Sequence, residues 1–93
     1  MLNEMDKLEK CLDALGFNFK RNDINQFCPS VPYDQIIVYN ENNERIWDAV
    51  CFNGSYGGEF GLLEVMGTIV PEDNEDGVIG FLTALEVLHL LEP

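Results

Sequence analysis

The residues that could carry chemistry in this sequence are mainly carboxylates, and few other reactive groups accompany them. The 93 residues include 17 Asp and Glu, 5 Lys and Arg, 3 Cys and 1 His, so the formal net charge is −12. A chain with this charge repels phosphate backbones and anionic lipid, which excludes conventional nucleic-acid binding and electrostatic attraction to a membrane. With one His and no nucleophile–base pair in sequence context, we expect no enzymatic activity.

The carboxylates are unevenly distributed along the chain. Residues 1–45 hold all five basic side chains and eight acids, whereas residues 46–93 hold nine acids and no base. This excess either keeps a small protein soluble or forms a docking surface for a basic partner. Tyr56 lies between glycines and is expected to be exposed, where it would anchor a partner. The candidate partner-binding residues are Glu59, Glu64, Glu72, Asp73, Glu75, Asp76 and Tyr56.

Two segments resemble ligand-binding loops but lack essential parts. Residues 72–77 read Glu-Asp-Asn-Glu-Asp-Gly and resemble a calcium loop, yet the twelfth position is Thr83 where an EF-hand needs a bidentate Glu. Residues 54–58 read Gly-Ser-Tyr-Gly-Gly and precede a predicted helix, as phosphate-binding loops do. They have neither the P-loop nor the dinucleotide spacing, and no Lys or Arg accompanies them. We expect a tight turn there.

The cysteines and the histidine do not form a recognisable site. Cys11, Cys28 and Cys51 lack the spacing of a zinc site and are expected to be reduced, buried thiols that pack as small hydrophobic residues. His89 falls opposite most of the apolar residues of its predicted helix, which favours a surface or interface position. We expect no metal and no cofactor.

The elements that position these residues follow from the apolar spacing of a single predicted domain, residues 1–93. An N-terminal amphipathic helix is predicted to begin after Asn3, with Asp6 completing a capping box, and to end at Gly16. Phe17 and Phe19 then alternate with polar residues and indicate a short strand. Residues 22–34 contain two prolines and are predicted to be a loop. The helix is indicated by apolar residues at spacings of three and four, namely Leu2, Met5, Leu8, Leu12 and Leu15.

The middle of the chain is predicted to be a hairpin, with strands at residues 35–39 and 45–52 joined by an Asn-rich turn. Trp47 is expected to be a core residue. Asp48 interrupts the second apolar strand, so it either points outward, which the pattern favours, or pairs with a residue such as Arg45.

The C-terminal half is predicted to contain two helices. The first spans residues 60–70, where apolar residues follow helical spacing despite Gly61 and Gly67, and Pro71 ends it. The second spans 84–91 and begins with a Thr83–Glu86 capping box. Its apolar arc covers more than half the helix, so it is either sandwiched in the core or forms a self-association patch, as in a homodimer. The predicted fold is α+β in the order α-β-β-β-α-α, an antiparallel sheet packed by helices.

Residues 33–67 resemble stretches of small acidic proteins encoded by bacteriophages and mobile elements. The resemblance includes Arg45-Ile-Trp-Asp-Ala-Val-Cys51, Gly54-Ser-Tyr-Gly57 and Gly61-Leu-Leu-Glu-Val-Met-Gly67, covers about a third of the chain, and contains no functional motif. Among such proteins, the anti-CRISPR inhibitors, many of them DNA mimics, are similar in size and acidity. This resemblance implies an inhibitor that occupies the basic nucleic-acid groove of a CRISPR effector nuclease, a Cas nuclease.

The expected function is therefore a phage-encoded acidic DNA mimic. The alternative is a non-enzymatic interaction module, such as a phage accessory or antitoxin-like protein, that uses an apolar surface. No N-terminal segment has the features of a secretion signal, and no apolar run is long enough to span a bilayer. We expect the protein in the bacterial host cytoplasm.

Overall fold

A computed structural model describes residues 2–23 and 33–91, which form two helices and a five-stranded antiparallel sheet. The α+β class is therefore confirmed, whereas the predicted order of elements is not. A single 3₁₀ turn, Gly58–Phe60, lies between the third and fourth strands. The elements in chain order are α1 (Glu4–Leu15), β1 (Asn18–Asp23), β2 (Tyr33–Tyr39), β3 (Arg45–Phe52), β4 (Leu63–Gly67), β5 (Val78–Leu82) and α2 (Ala84–Leu90).

The sheet is a meander in which each strand pairs only with its neighbours in sequence, in the order β1-β2-β3-β4-β5. All four pairings are antiparallel. Both helices pack on one face of this sheet, because their apolar side chains form one core with alternate residues of the strands. Trp47 is 2% exposed in this core, as expected. The other fully buried large side chains are Leu8, Leu12, Ile36, Val38, Leu63, Val65 and Val87.

Helix α1 forms as its sequence predicts. The Asn3 side chain accepts a hydrogen bond from the Asp6 amide at 2.7 Å, and the Asp6 carboxylate accepts one from the Asn3 amide. Gly16 ends the helix in the left-handed conformation with φ of 81°, which glycine adopts without a steric cost. The two caps fix the two ends of the helix, and Gly16 turns the chain toward β1.

Helix α2 is held at its N-terminus by two sets of contacts. Thr83 and Glu86 form the predicted capping box, with the Thr83 hydroxyl accepting from the Glu86 amide. In addition, a carboxylate oxygen of Glu4 accepts a hydrogen bond of 2.8 Å from the Ala84 amide. This contact joins the start of α1 to the start of α2, 80 residues later in the chain.

The predicted helix at residues 60–70 is wrong: the chain forms β4 there instead. Leu63 and Val65 are buried while Glu64 and Met66 are more exposed, which is the alternation of a strand. Gly61 and Gly67 adopt left-handed backbone, with φ of 73° and 115°, which a helix interior does not accommodate. The spacing of the apolar residues fits both the 3.6-residue period of a helix and the two-residue period of a strand. The conformations of the two glycines exclude the helix.

Residues 78–82, for which no element is predicted, form β5. Gly80 and a register irregularity against β4 obscure the strand pattern. The predicted loop at 22–34 is also too long, because β1 continues to Asp23 and β2 starts at Tyr33. The proline-containing remainder, residues 24–32, lies outside the described residues.

Candidate functional site

Most of the cations in the described chain are already paired with carboxylates. Arg21 lies on the helix-covered face of β1 and donates hydrogen bonds to Asp6 and Glu9 of α1, at 2.8 and 2.6 Å, and to Asp34 of β2. These contacts lower the pKa of Asp6 and raise that of Arg21. Since one guanidinium serves three carboxylates, it leaves no charge for the acids of the C-terminal half.

Arg45 and Lys7 also form ion pairs with carboxylates. Arg45 pairs with Asp48 at 3.0 Å, and Asp48 also accepts a hydrogen bond of 2.9 Å from Gln35. Asp48 is only 7% exposed, so the outward position that the pattern favoured is wrong and the paired alternative is right. The reason is that Arg45 and Gln35 both bind the Asp48 carboxylate and so satisfy its charge at a buried position on the sheet face away from the helices. Lys7 pairs with Glu4 at 3.0 Å, and the Ala84 amide and Lys7 together lower the pKa of Glu4.

The meander brings two acidic turns to the same end of the sheet. The β2–β3 turn starts after Tyr39, and the β4–β5 connection starts after Gly67, beside Trp47 at the start of β3. The amide of Thr68, the first residue of that connection, donates to the Ile46 carbonyl at 2.9 Å. We define the acidic end as the exposed carboxylates of these two turns: Glu41, Glu44, Glu72, Asp73, Glu75 and Asp76.

The acidic end is unneutralised within residues 2–23 and 33–91, where none of its six carboxylates makes an ion pair. Asn40 shapes the first turn by accepting from the amides of Asn42 and Glu44, and Asn74 shapes the second by accepting from Asp76 and Gly77. Both are turns in which an Asn side chain replaces a backbone acceptor. Glu41 and Glu44 were missed by sequence reasoning because only the strand order brings them beside residues 72–76.

The remaining predicted site residues do not lie at the acidic end. Glu59 and Tyr56 lie in the β3–β4 connection, at the opposite end of β4 and β5, which are five residues long and therefore span about 15 Å. Glu64 lies on β4 opposite Val50, on the face away from the helices. Glu64 was expected on a helix and lies on β4 instead, whereas Glu59 lies in the 3₁₀ turn Gly58–Phe60. The predicted set is thus divided between two ends of the sheet.

Three exposed aromatic residues gather at this second end. We call Tyr56, Phe60 and Phe81 the aromatic cluster; they are 57, 68 and 54% exposed. The ring centroids of Phe60 and Phe81 are 6.4 Å apart with an interplanar angle of 39°, which is within the range of favourable ring pairs. The expected exposure of Tyr56 is confirmed, but its two aromatic neighbours were not anticipated.

The backbone beneath the aromatic cluster is closely packed. A Cβ atom at Gly57 would lie 2.8 Å from the Phe81 Cα, and one at Gly80 would collide with the Tyr56 Cβ. The Phe81 amide donates to the Tyr56 carbonyl at 3.1 Å. Phe81 has a φ of +58°, a conformation that costs a non-glycine residue about 1–2 kcal/mol. Buried Ser55 secures the connection further by bonding both the amide and the carbonyl of Phe52.

A shallow groove of about 470 Å³ lies between the two helices. It is lined by residues from both helices, including Cys11 and Leu88. Leu85 lines the groove and is 63% exposed, so part of the wide apolar arc of α2 is uncovered. His89 is also exposed.

The two thiols that the structure describes show no feature of a reactive site. Cys11 and Cys51 are free and half-buried, and burial, together with the nearby Asp34 carboxylate, raises the pKa of Cys51. A raised pKa keeps the thiol protonated and unreactive near neutral pH. Cys28 lies outside the described residues. Among residues 2–23 and 33–91, no group of three or more His, Cys, Asp or Glu side chains is arranged to hold a metal ion.

Comparison with known proteins yields no match: no family model fits the chain, and neither curated proteins nor solved structures resemble it significantly. The candidate functional surfaces therefore rest on geometry and charge alone.

Proposed function

We propose that this protein binds the basic groove of a nucleic-acid-handling protein and excludes the nucleic acid from it, with the carboxylates of the acidic end in place of phosphates. The observation that carries the proposal is the convergence of two acidic turns on one end of the meander. Carboxylates form short, charge-assisted hydrogen bonds with arginine and lysine, as phosphates do. The acidic end offers six of them without an internal competitor among the described residues.

The two turns join β2 to β3 and β4 to β5, so the pairs of strands that they connect are two strand spacings, about 10 Å, apart. The negative charge is therefore spread along this end of the sheet rather than confined to one turn.

The partner that we propose is a CRISPR effector nuclease of the Cas9 type. Such nucleases hold the guide–target duplex in a positively charged channel and read the PAM with arginine side chains. The resemblance of residues 33–67 to small phage proteins and the acidity of the chain favour this partner. Occupation of the channel would compete directly with DNA, and opposite charges would accelerate the encounter.

The test is inhibition of DNA binding by a purified Cas9–guide RNA complex. The quadruple variant Glu72→Gln, Asp73→Asn, Glu75→Gln and Asp76→Asn should weaken inhibition at least about tenfold, because several charge-assisted contacts are lost together. Raising the salt from 50 to 200 mM should weaken direct binding of the unaltered protein to the DNA-free complex and have much less effect on binding of the variant.

A single-charge pair serves as the matched control. Glu72→Gln and Glu64→Gln each remove one negative charge, but only the first lies at the acidic end. Inhibition should weaken with Glu72→Gln and stay unchanged with Glu64→Gln. Equal effects of the two variants would mean that net charge alone matters, and undiminished inhibition by the quadruple variant would remove the acidic end from the mechanism.

A second candidate function is a non-enzymatic interaction module that self-associates through α2. Exposed Leu85 beside the apolar groove between α1 and α2 favours it. Light scattering during size-exclusion chromatography should then give twice the monomer mass, and Leu85→Ser should return it to that of a monomer. A monomer at every concentration would reject this candidate without affecting the first.

A further inference from the structure

The aromatic cluster displays its rings from a backbone that leaves little freedom for rearrangement. Phe60 and Phe81 are on different segments, yet their rings are paired. The segments are joined by the hydrogen bond from the Phe81 amide to the Tyr56 carbonyl and by close approaches at Gly57 and Gly80. Side chains held in place before binding lose less conformational entropy when they meet a partner.

Phe81 is exposed although its backbone is strained. It combines a φ of +58° with 54% exposure, so its ring gains only about half of the burial that a core phenylalanine has. Glycine or asparagine would occupy this position at lower cost. Strained backbone of this kind is concentrated at ligand-binding and other functional positions, which points to a role for the ring that folding alone does not supply.

The electrostatic surroundings indicate which chemistry would recognise the rings. Glu59 lies in the same 3₁₀ turn as Phe60 and is exposed, and residues 46–93 supply no lysine or arginine. Aromatic faces attract cations within about 6 Å of the ring centre. Since the ring centroids of Phe60 and Phe81 are 6.4 Å apart, one basic segment can reach both rings.

We propose that the aromatic cluster binds an arginine-bearing basic segment of a protein partner, with the guanidinium stacked on Phe60 or Phe81 and paired with Glu59. Arginine is favoured over lysine because its planar guanidinium stacks on rings and is more weakly hydrated. This surface is separate from the acidic end, and the proposal does not rest on the function assigned there.

The experiment measures binding of two pentapeptides by ¹⁵N–¹H NMR titration. The probes are acetylated, amidated Arg-Gly-Arg-Gly-Arg and Lys-Gly-Lys-Gly-Lys, which have the same charge. The protein carries the four neutralising substitutions at residues 72–76, so that attraction to the acidic end is suppressed. The arginine peptide should shift the amide signals of residues 56–60 and 80–82 and bind at least about fivefold more tightly than the lysine peptide.

Two ring-removing variants test the site itself. Phe81→Gly should reduce the preference for arginine, because one of the two stacking rings is lost, without lowering the midpoint of thermal unfolding, since glycine adopts this backbone freely. Phe60→Ser should have the same effect on binding. It should leave the fold intact, because the Phe60 side chain is already largely exposed. The unchanged melting midpoint separates loss of binding from loss of folding.

Three results would overturn the proposal. The first is equal affinity for the two peptides, which would reduce the interaction to net charge. The second is a set of shifted signals that excludes residues 56–60 and 80–82. The third is a dimer that dissociates in Phe60→Ser, because the cluster would then be covered by a second copy of the chain.

Discussion

The acidic end and the aromatic cluster lie at opposite ends of β4 and β5 and are built on different principles. The acidic end consists of exposed turns, shaped by the side chains of Asn40 and Asn74, around which space is open. A Cβ at Gly77, for example, would meet no atom within 4 Å. At the aromatic cluster, Gly57 and Gly80 are in direct contact with neighbouring backbone.

The two surfaces are therefore suited to different kinds of recognition. Charge acts over several ångströms and tolerates movement of the side chains that carry it. Stacking on rings requires definite distances and orientations. A loosely packed turn is sufficient for the first, whereas the second needs the closely packed backbone found around Phe81.

The difference in packing between the two ends should have a large effect on how each tolerates an added methyl group. Gly80→Ala should lower the free energy of unfolding by about 3 kcal/mol, because the new methyl group collides with Tyr56 and forces the backbone apart. Gly77→Ala, where only the left-handed backbone is strained, should cost about 1 kcal/mol. Urea denaturation of both variants measures the contrast. Equal losses would show that the aromatic end is no more rigidly packed than the acidic one.

A smaller effect should come from the repulsion among the acids. Neutralising residues 72, 73, 75 and 76 together should raise the free energy of unfolding by about 1 kcal/mol at low ionic strength, since like charges in the folded chain repel one another. In 1 M NaCl the gain should disappear, because the screening length is then about 3 Å. Denaturation at both salt concentrations tests this, and a gain that persists in 1 M NaCl would contradict it.

A still smaller effect, on the pH dependence of stability, should come from the acids that are paired, in contrast to those of the acidic end. The amide of Ala84 and Lys7 lower the pKa of Glu4, and Arg21 lowers that of Asp6. A carboxylate with a lowered pKa binds fewer protons in the folded than in the unfolded state. Its stabilising contribution is therefore present above the ordinary carboxylate pKa of about 4 and is lost as the pH falls through the folded-state pKa.

Glu4→Gln should accordingly lower stability near pH 6 and make it less dependent on pH between 5 and 3. The measurement is chemical denaturation at several pH values in that range. An unchanged pH dependence would mean that the Glu4–Ala84 contact does not form in solution.

Local features of the fold could be predicted from the sequence. The grouping of residues into the two candidate surfaces could not, because it depends on the order of the strands in the sheet. The caps of α1 at Asn3 and Gly16 and the capping box of α2 at Thr83 depend on residues a few positions apart, so their signals are legible in the chain. The β2–β3 hairpin can be recognised in the sequence for the same reason. The α+β class and this hairpin were therefore predicted correctly.

The errors arose where a pattern had two physical solutions. The apolar residues of 60–70 fit a helix and a strand alike, and the left-handed glycines that exclude the helix have no distinct signature in sequence. Asp48 was favoured as outward-facing because nothing local identifies Gln35 as its second partner. Likewise, only the strand order shows that Glu41 lies at the same end of the sheet as residues 72–76, and that Phe81 lies at the same end as Tyr56.

The hydrogen bond between the Phe81 amide and the Tyr56 carbonyl has a consequence for self-assembly. β5 is an edge strand of the sheet, and an unpaired edge can template the addition of a strand from another molecule. Here the amide of Phe81 is already occupied within the chain, and its left-handed backbone interrupts the flat row of donors that such an intruding strand requires. The irregularity that displays the ring thus also makes β5 a less regular template for an added strand.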